Sequence, residues 1–181
     1  MAATPKLSPH QITQVSEMVA EYISAQRGRY VFRAFPLSAQ QSAPLALFFD
    51  RDVLGSVRLL VLRGERVPNP EFYPLLRSLG FQNLPDQSTM AAITFCDVIV
   101  SHEPFSEGLL FHELVHVEQY RLLGIRRFSE LYVRGFLNGG SYEAIPLEVN
   151  AYSLEDRFRR DPGQAFSVQT EVAEWLAEGR P

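Results

Sequence analysis

The chain has 181 residues, 46% hydrophobic and 21% charged, which is the composition of a folded chain with one buried core rather than of a disordered or fibrous polymer. Its formal net charge of −4 offers no basic field to nucleic acid or an anionic membrane. The single cysteine, Cys96, excludes an intrachain disulfide and any cysteine-rich metal cluster.

The first residues, MAATPKLSPHQITQ, lack the apolar stretch of a signal peptide, and no apolar run reaches the roughly 18 to 20 residues needed to cross a bilayer, so a cytoplasmic location is expected. Ser8-Pro9 reads as an N-cap followed by proline at the first helical position. Ile12, Val15, Met18, Val19, Tyr22 and Ile23 then recur at helical spacing, which predicts an amphipathic helix over about 8–27, ended by Gly28. Four stretches rich in branched and aromatic residues, 29–35, 45–50, 53–63 and 91–100, read as strands. The proline-rich 68–88 between the last two reads as loops around one short helix.

Beyond Pro104 the texture is helical. One helix is expected over 105–123, broken by Gly124, and a second over 125–137, closed by Asn138-Gly139-Gly140. Two more follow, over 142–160 with Asp161-Pro162-Gly163 as the stop, and over 163–178. Strands first and helices afterwards argue for an α+β fold: a small, mostly antiparallel sheet packed on helices. A single domain over 1–181 is expected, with an N-terminal helix and sheet in 1–103 and a helical part carrying the chemistry in 104–181.

The chemistry lies in 108-GLLFHELVHVEQY-120, which holds two of the four histidines. On a helix, residues i and i+4 share a face, so His112 and His116 can turn their rings toward one ion about 2 Å from each. Glu113 is rotated by about 100° from His112, which sets its carboxylate beside such an ion, where it can hold a water and take its proton. A core histidine is the ordinary reading of a lone His on an apolar helix. A chance His-Glu-x-x-His in a chain of this composition has odds of roughly one in a hundred. Here Leu109, Leu110, Phe111, Leu114, Val115 and Val117 surround the motif, and three such polar side chains in an apolar helix are costly without a compensating ion.

"FHELVHV" resembles the signature of the zincin zinc metallopeptidases. The metzincin branch requires a glycine three residues and a histidine six residues after the second His; Gln119 and Leu122 stand there, which leaves families with a downstream glutamate, the gluzincins. The resemblance implies Zn2+ as cofactor, Glu113 as general base and a third ligand on the following helix, where Glu143, Glu148 and Glu155 are candidates. "IPLEVNAY" is similar to a PLE-x-x-AY stretch of small zincin-like families and favours Glu148, although the Asn-Glu-x-x-x-Asp pattern of the thermolysin type is absent. Helical spacing puts Glu148, Tyr152 and Glu155 on one face, so Glu155 or Asn150 could support the ligands from behind.

A zinc peptidase (a hydrolase of peptide or protein substrates) would further need an edge strand to pair with an extended substrate, for which 91–100 is the candidate. It would also need a donor to the developing oxyanion, for which Tyr142 and Tyr152 are nearest in sequence. His102 and Cys96 read as a loop histidine and a small buried hydrophobe rather than as a fourth ligand or a thiolate switch. The competing reading is a zinc-binding module without proteolytic activity, structural, interacting or toxin-associated. Against it stands Glu113, since a purely structural zinc needs no general base.

Overall fold

The computed structural model describes residues 5–179. Helix α1 (Pro9–Tyr30) begins at a capping box in which Ser8 and Gln11 exchange side-chain and backbone hydrogen bonds, with proline at the first turn as expected. It does not stop at Gly28. Val15, Ile23, Gln26 and Tyr30 lie on one buried face, and Tyr30, fully buried, stacks on Phe95 with ring centroids 6.3 Å apart. That burial outweighs the glycine's cost of about 1 kcal/mol in a helix. The stretch 29–35 therefore supplies the end of α1, a 3-10 turn and only a two-residue strand, β1 (Phe35–Pro36).

Of two more strand expectations, one resolves into helical turns and the other holds only in its second half. Residues 45–50 close α2 (Ala39–Leu45), whose chain turns on so that Phe48 and Phe49 both bond back to the Leu45 carbonyl. Leu45, Phe48 and Phe49 are all buried; their i, i+3, i+4 spacing is that of a helical face, which a short apolar run conceals. The stretch 53–63 divides into α3 (Arg51–Ser56) and β2 (Arg58–Val61). One short helix, α4 (Tyr73–Ser78), lies in the proline-rich segment.

The expected strand over 91–100 is a hairpin: β3 (Ala92–Phe95) and β4 (Val98–Ser101), turning at Cys96-Asp97. Cys96 takes a left-handed φ of 60°, a conformation that costs a non-glycine residue about 1 kcal/mol. The turn is held from outside, because Asp97 binds both Nε and NH2 of Arg27 on α1 at 2.5 and 2.9 Å. The sheet runs β1-β2-β4-β3; β1/β2 and β3/β4 are antiparallel and β2/β4 parallel, so the sheet is mixed. β3 forms its edge.

Ser106 caps α5 (Glu107–Gly139), which is two helices joined at Gly124, where φ 70° and ψ 161° break the ladder at the expected residue. Beyond the break the chain returns Phe128 to stack on Tyr120 at 3.8 Å. Gly140, left-handed at φ 73°, ends the helix. α6 begins later than expected, at Pro146, and runs to Arg160; α7 is Val168–Ala177. A Cβ on Gly135 would fall 2.5 Å from Pro146 Cδ, so only glycine lets the start of α6 lie this close against α5. Phe111 and Phe158 stack at 4.4 Å and 8°, with Phe48 set edge-on against both, and fix the rotation of α6 against α5. Seven α-helices and a four-stranded sheet make the described part α+β, and none of its helices is long and apolar enough to cross a membrane.

Candidate metal centre

The apolar face of α5 that packs into the core carries His112 and His116 inward with it, and α6 brings Glu148 against them. His112, Glu113 and His116 are each 5% exposed and Glu148 4%. His112 Nε2 and His116 Nε2 are 3.2 Å apart, and Glu148 Oε2 lies 3.4 Å from the first and 3.3 Å from the second. This near-equilateral triangle matches one face of a tetrahedron with bonds of about 2.0–2.1 Å, whose edge is about 3.3–3.4 Å. Among the described residues Glu148 Oε2 makes no well-formed hydrogen bond, only the ion-pair contacts to the two histidines, so its burial is costly. A divalent ion accepting all three lone pairs removes that cost, so the residues present fit a metal, zinc included.

The opposite ring nitrogens are held from behind. His112 Nδ1 donates to Glu155 Oε2 at 3.1 Å, and Arg159 grips the same carboxylate at 2.7 Å. His116 Nδ1 donates to Gln119 Oε1 at 2.8 Å, while Gln119 Nε2 donates to the Leu147 carbonyl and to Asn150 Oδ1, each at 3.0 Å. These bonds assign the protons to Nδ1 and leave both Nε2 atoms facing Glu148. Gln119 and Arg159 were not singled out from the sequence. Gln119, which stands at the metzincin glycine position, is the group that orients His116. A buried glutamine three residues after a motif histidine was the available signal. Gln119→Leu should weaken zinc binding by about 10–100-fold while the far-ultraviolet spectrum stays that of the parent; unchanged affinity in a competitive chelator titration would show that Gln119 only packs.

Of the other carboxylates, Glu143 is exposed and stands outside the triad, and Glu155 acts through His112. Glu113 is buried just beside the triad; its Oε2 accepts the Thr94 hydroxyl of β3 at 2.7 Å, a partner that sequence spacing could not reveal. Burial raises the Glu113 pKa against the pull of both histidines. Tyr142 borders the same cavity as Glu113, His116 and Glu148, and burial plus the nearby Glu148 charge keep its phenol protonated far above neutral. Tyr152, 45% exposed, covers His112 from the solvent side with ring centroids 4.5 Å apart, away from that cavity. His102 is a structural residue: its Nδ1 donates to the Met90 carbonyl at 2.6 Å and its Nε2 accepts from Val67 N–H at 3.0 Å. Cys96 is half-buried, and desolvation pushes its thiol up to about 11, which suits a small hydrophobe and not a thiolate ligand.

Without an ion the triad is an ion-pair cluster. Burial alone would lower the His112 pKa, but Glu148 and Glu155 outweigh it and push it up to about 10. Burial would raise Glu148, but His116 and His112 hold it down to about 2. At neutral pH the His112 proton therefore has to leave before Nε2 can ligate. Zinc affinity should rise with pH between neutrality and about 10, by about tenfold per unit for each proton released. Calorimetric zinc titrations in buffers of different ionisation enthalpy should differ by at least one proton's worth of heat, and identical heats would contradict the assignment.

Compared with known proteins, the chain matches no family model, no curated protein and no solved structure.

Proposed function

We propose that this chain is a zinc-dependent hydrolase of peptide bonds, with His112, His116 and Glu148 as metal ligands and Glu113 as general base. The observation that carries the reading is the triangle of donor atoms 3.2 to 3.4 Å apart with a second buried carboxylate, Glu113, beside it that is not part of it. Zinc in such a set supplies Lewis acidity, polarising a carbonyl and lowering the pKa of a ligated water to about 7.

The chain's own residues supply the rest. Glu113, its pKa raised by burial, is a stronger base than an exposed carboxylate and stands beside the triad, where it can take a proton and return it to a leaving amine. The Thr94 hydroxyl holds one of its oxygens, so the carboxylate keeps a single orientation. Tyr142, protonated and on the wall of the same cavity, is the donor available to a developing oxyanion, a role for which Tyr152 is less well placed. Edge strand β3, which bears Thr94, offers its backbone to an extended peptide. A zinc-binding module without turnover is the second reading, favoured by the burial of all three ligands. The test is cleavage of a fluorogenic peptide mixture by the zinc-loaded protein, its loss with chelator and its return with zinc. A zinc-loaded protein that cleaves nothing supports the second reading.

A further inference from the structure

Beside the triad lies a cavity of about 90 Å³ with Glu113, His116 and Glu148 on its wall. It extends away from them between β3, α1 and the start of α4, where Val19, Ile23, Phe72, Tyr73 and Ile93 line it. We infer that this cavity selects the substrate group next to the reacting centre by size and charge, admitting a branched aliphatic side chain such as that of leucine or valine and rejecting aromatic rings and acidic groups. The inference rests on the triad's being a metal site and adds which substrates reach it.

The size limit follows from volume and from stiff walls. A cavity of ~150 Å³ holds a benzene ring, so one of about 90 Å³ cannot enclose a ring unless its walls move. They are held in place. Tyr73 is buried, Tyr22 donates its hydroxyl to the Pro68 carbonyl at 2.8 Å, and Tyr120 is clamped in its stack on Phe128 at 3.8 Å. The charge limit follows from the lining. Among the described residues no lysine or arginine borders the cavity, and the part that extends away from Glu113, His116 and Glu148 is lined by Val19, Ile23, Phe72, Tyr73 and Ile93, none of them charged. An acidic group seated among them would be desolvated without an adjacent counter-charge.

A series of small hydroxamates, which bind zinc through a common head, tests this. Acetohydroxamate, isovalerohydroxamate, phenylacetohydroxamate and succinohydroxamate are titrated calorimetrically into the zinc-loaded protein, with the methyl resonances of Ala92 and Ile93 followed by NMR. Each buried methylene adds about fourfold in affinity, so the isobutyl group should bind about 50-fold tighter than the methyl and shift both resonances. The benzyl and carboxyethyl groups should bind no tighter than the methyl. Ala92→Leu, which fills the cavity, should collapse the isovalero-to-aceto ratio toward one; Phe72→Leu, which widens it, should let the benzyl group gain. A flat series, or one in which benzyl binds tightest to the parent, overturns the inference.

Isobutanol titrated against the metal-free protein separates this result from the metal reading. Shifts confined to the cavity methyls support the pocket even if zinc is not taken up, and their absence overturns it even if zinc is.

Discussion

Replacing Glu113 by glutamine is expected to leave zinc stoichiometry unchanged and to lower kcat/KM on any cleaved peptide by about 10²–10⁴-fold, the usual contribution of a positioned general base. Zinc content is preserved because Glu113 is outside the triad of ligand atoms. The fold is preserved because glutamine has the same shape and its carbonyl oxygen can still accept the Thr94 hydroxyl, which now lies 2.7 Å from Glu113 Oε2. What is lost is the basic oxygen itself. The measurement is a paired one, elemental analysis and initial rates on the same preparation. Turnover equal to the parent's would move the base to another group, and loss of zinc along with turnover would make Glu113 a ligand or a structural anchor.

Glu148→Ala is expected to have the largest effect on metal and stability together. It removes one corner of the triangle and leaves two histidines, so zinc affinity should fall by well over the ~100-fold that bounds the effect of outer partners. A zinc ion held by this triad would link α5 to α6 through this carboxylate, so the stability it adds should be lost with it. At 100-fold excess over Kd that stability is about 2.7 kcal/mol, or roughly 5–10 °C in Tm for a chain of this size. The parent should lose that increment on chelation; Glu148→Ala should start low and hardly respond. Glu143→Ala, at an exposed position, should behave as the parent, and Glu155→Ala, which frees His112 Nδ1, should fall between. If Glu143→Ala or Glu155→Ala abolished binding while Glu148→Ala bound zinc normally, the ligand assignment would pass to that residue.

Much of the helical half was legible because its signals are local. Ser8-Pro9, Gly124 and Gly140 act within a turn of their own position, and each does in the fold what its chemistry predicts. The sheet half was legible only in part: strands were expected and found at 58–61 and within 91–100, but not at 45–50. Leu45, Phe48 and Phe49 read as a strand because a short apolar run has no period of its own; packing against Phe111 and Phe158 makes it a helical turn. The hairpin at Cys96-Asp97 carries no glycine to announce it and depends on Arg27, 70 residues away.

The candidate centre divides along the same line. The pairing of His112 with His116 is a property of the helix itself, since the i, i+4 spacing brings two side chains together wherever an α-helix forms, and their apolar neighbours oblige that face to turn inward. The identity of the third corner could be narrowed by spacing to three glutamates but not settled by it. Only the stacking of Phe158 on Phe111 and the close approach at Gly135 rotate α6 so that Glu148 faces the Nε2 atoms, Glu155 reaches Nδ1 of His112, and Glu143 points to solvent. Thr94 on Glu113, Gln119 between His116 and α6, and the cavity beside them likewise exist only once β3, α1 and α6 have packed around α5. Local periodicity dictates which face of a segment is buried; what that face meets depends on contacts between residues 19 to 43 positions apart, which chain closure and packing decide together.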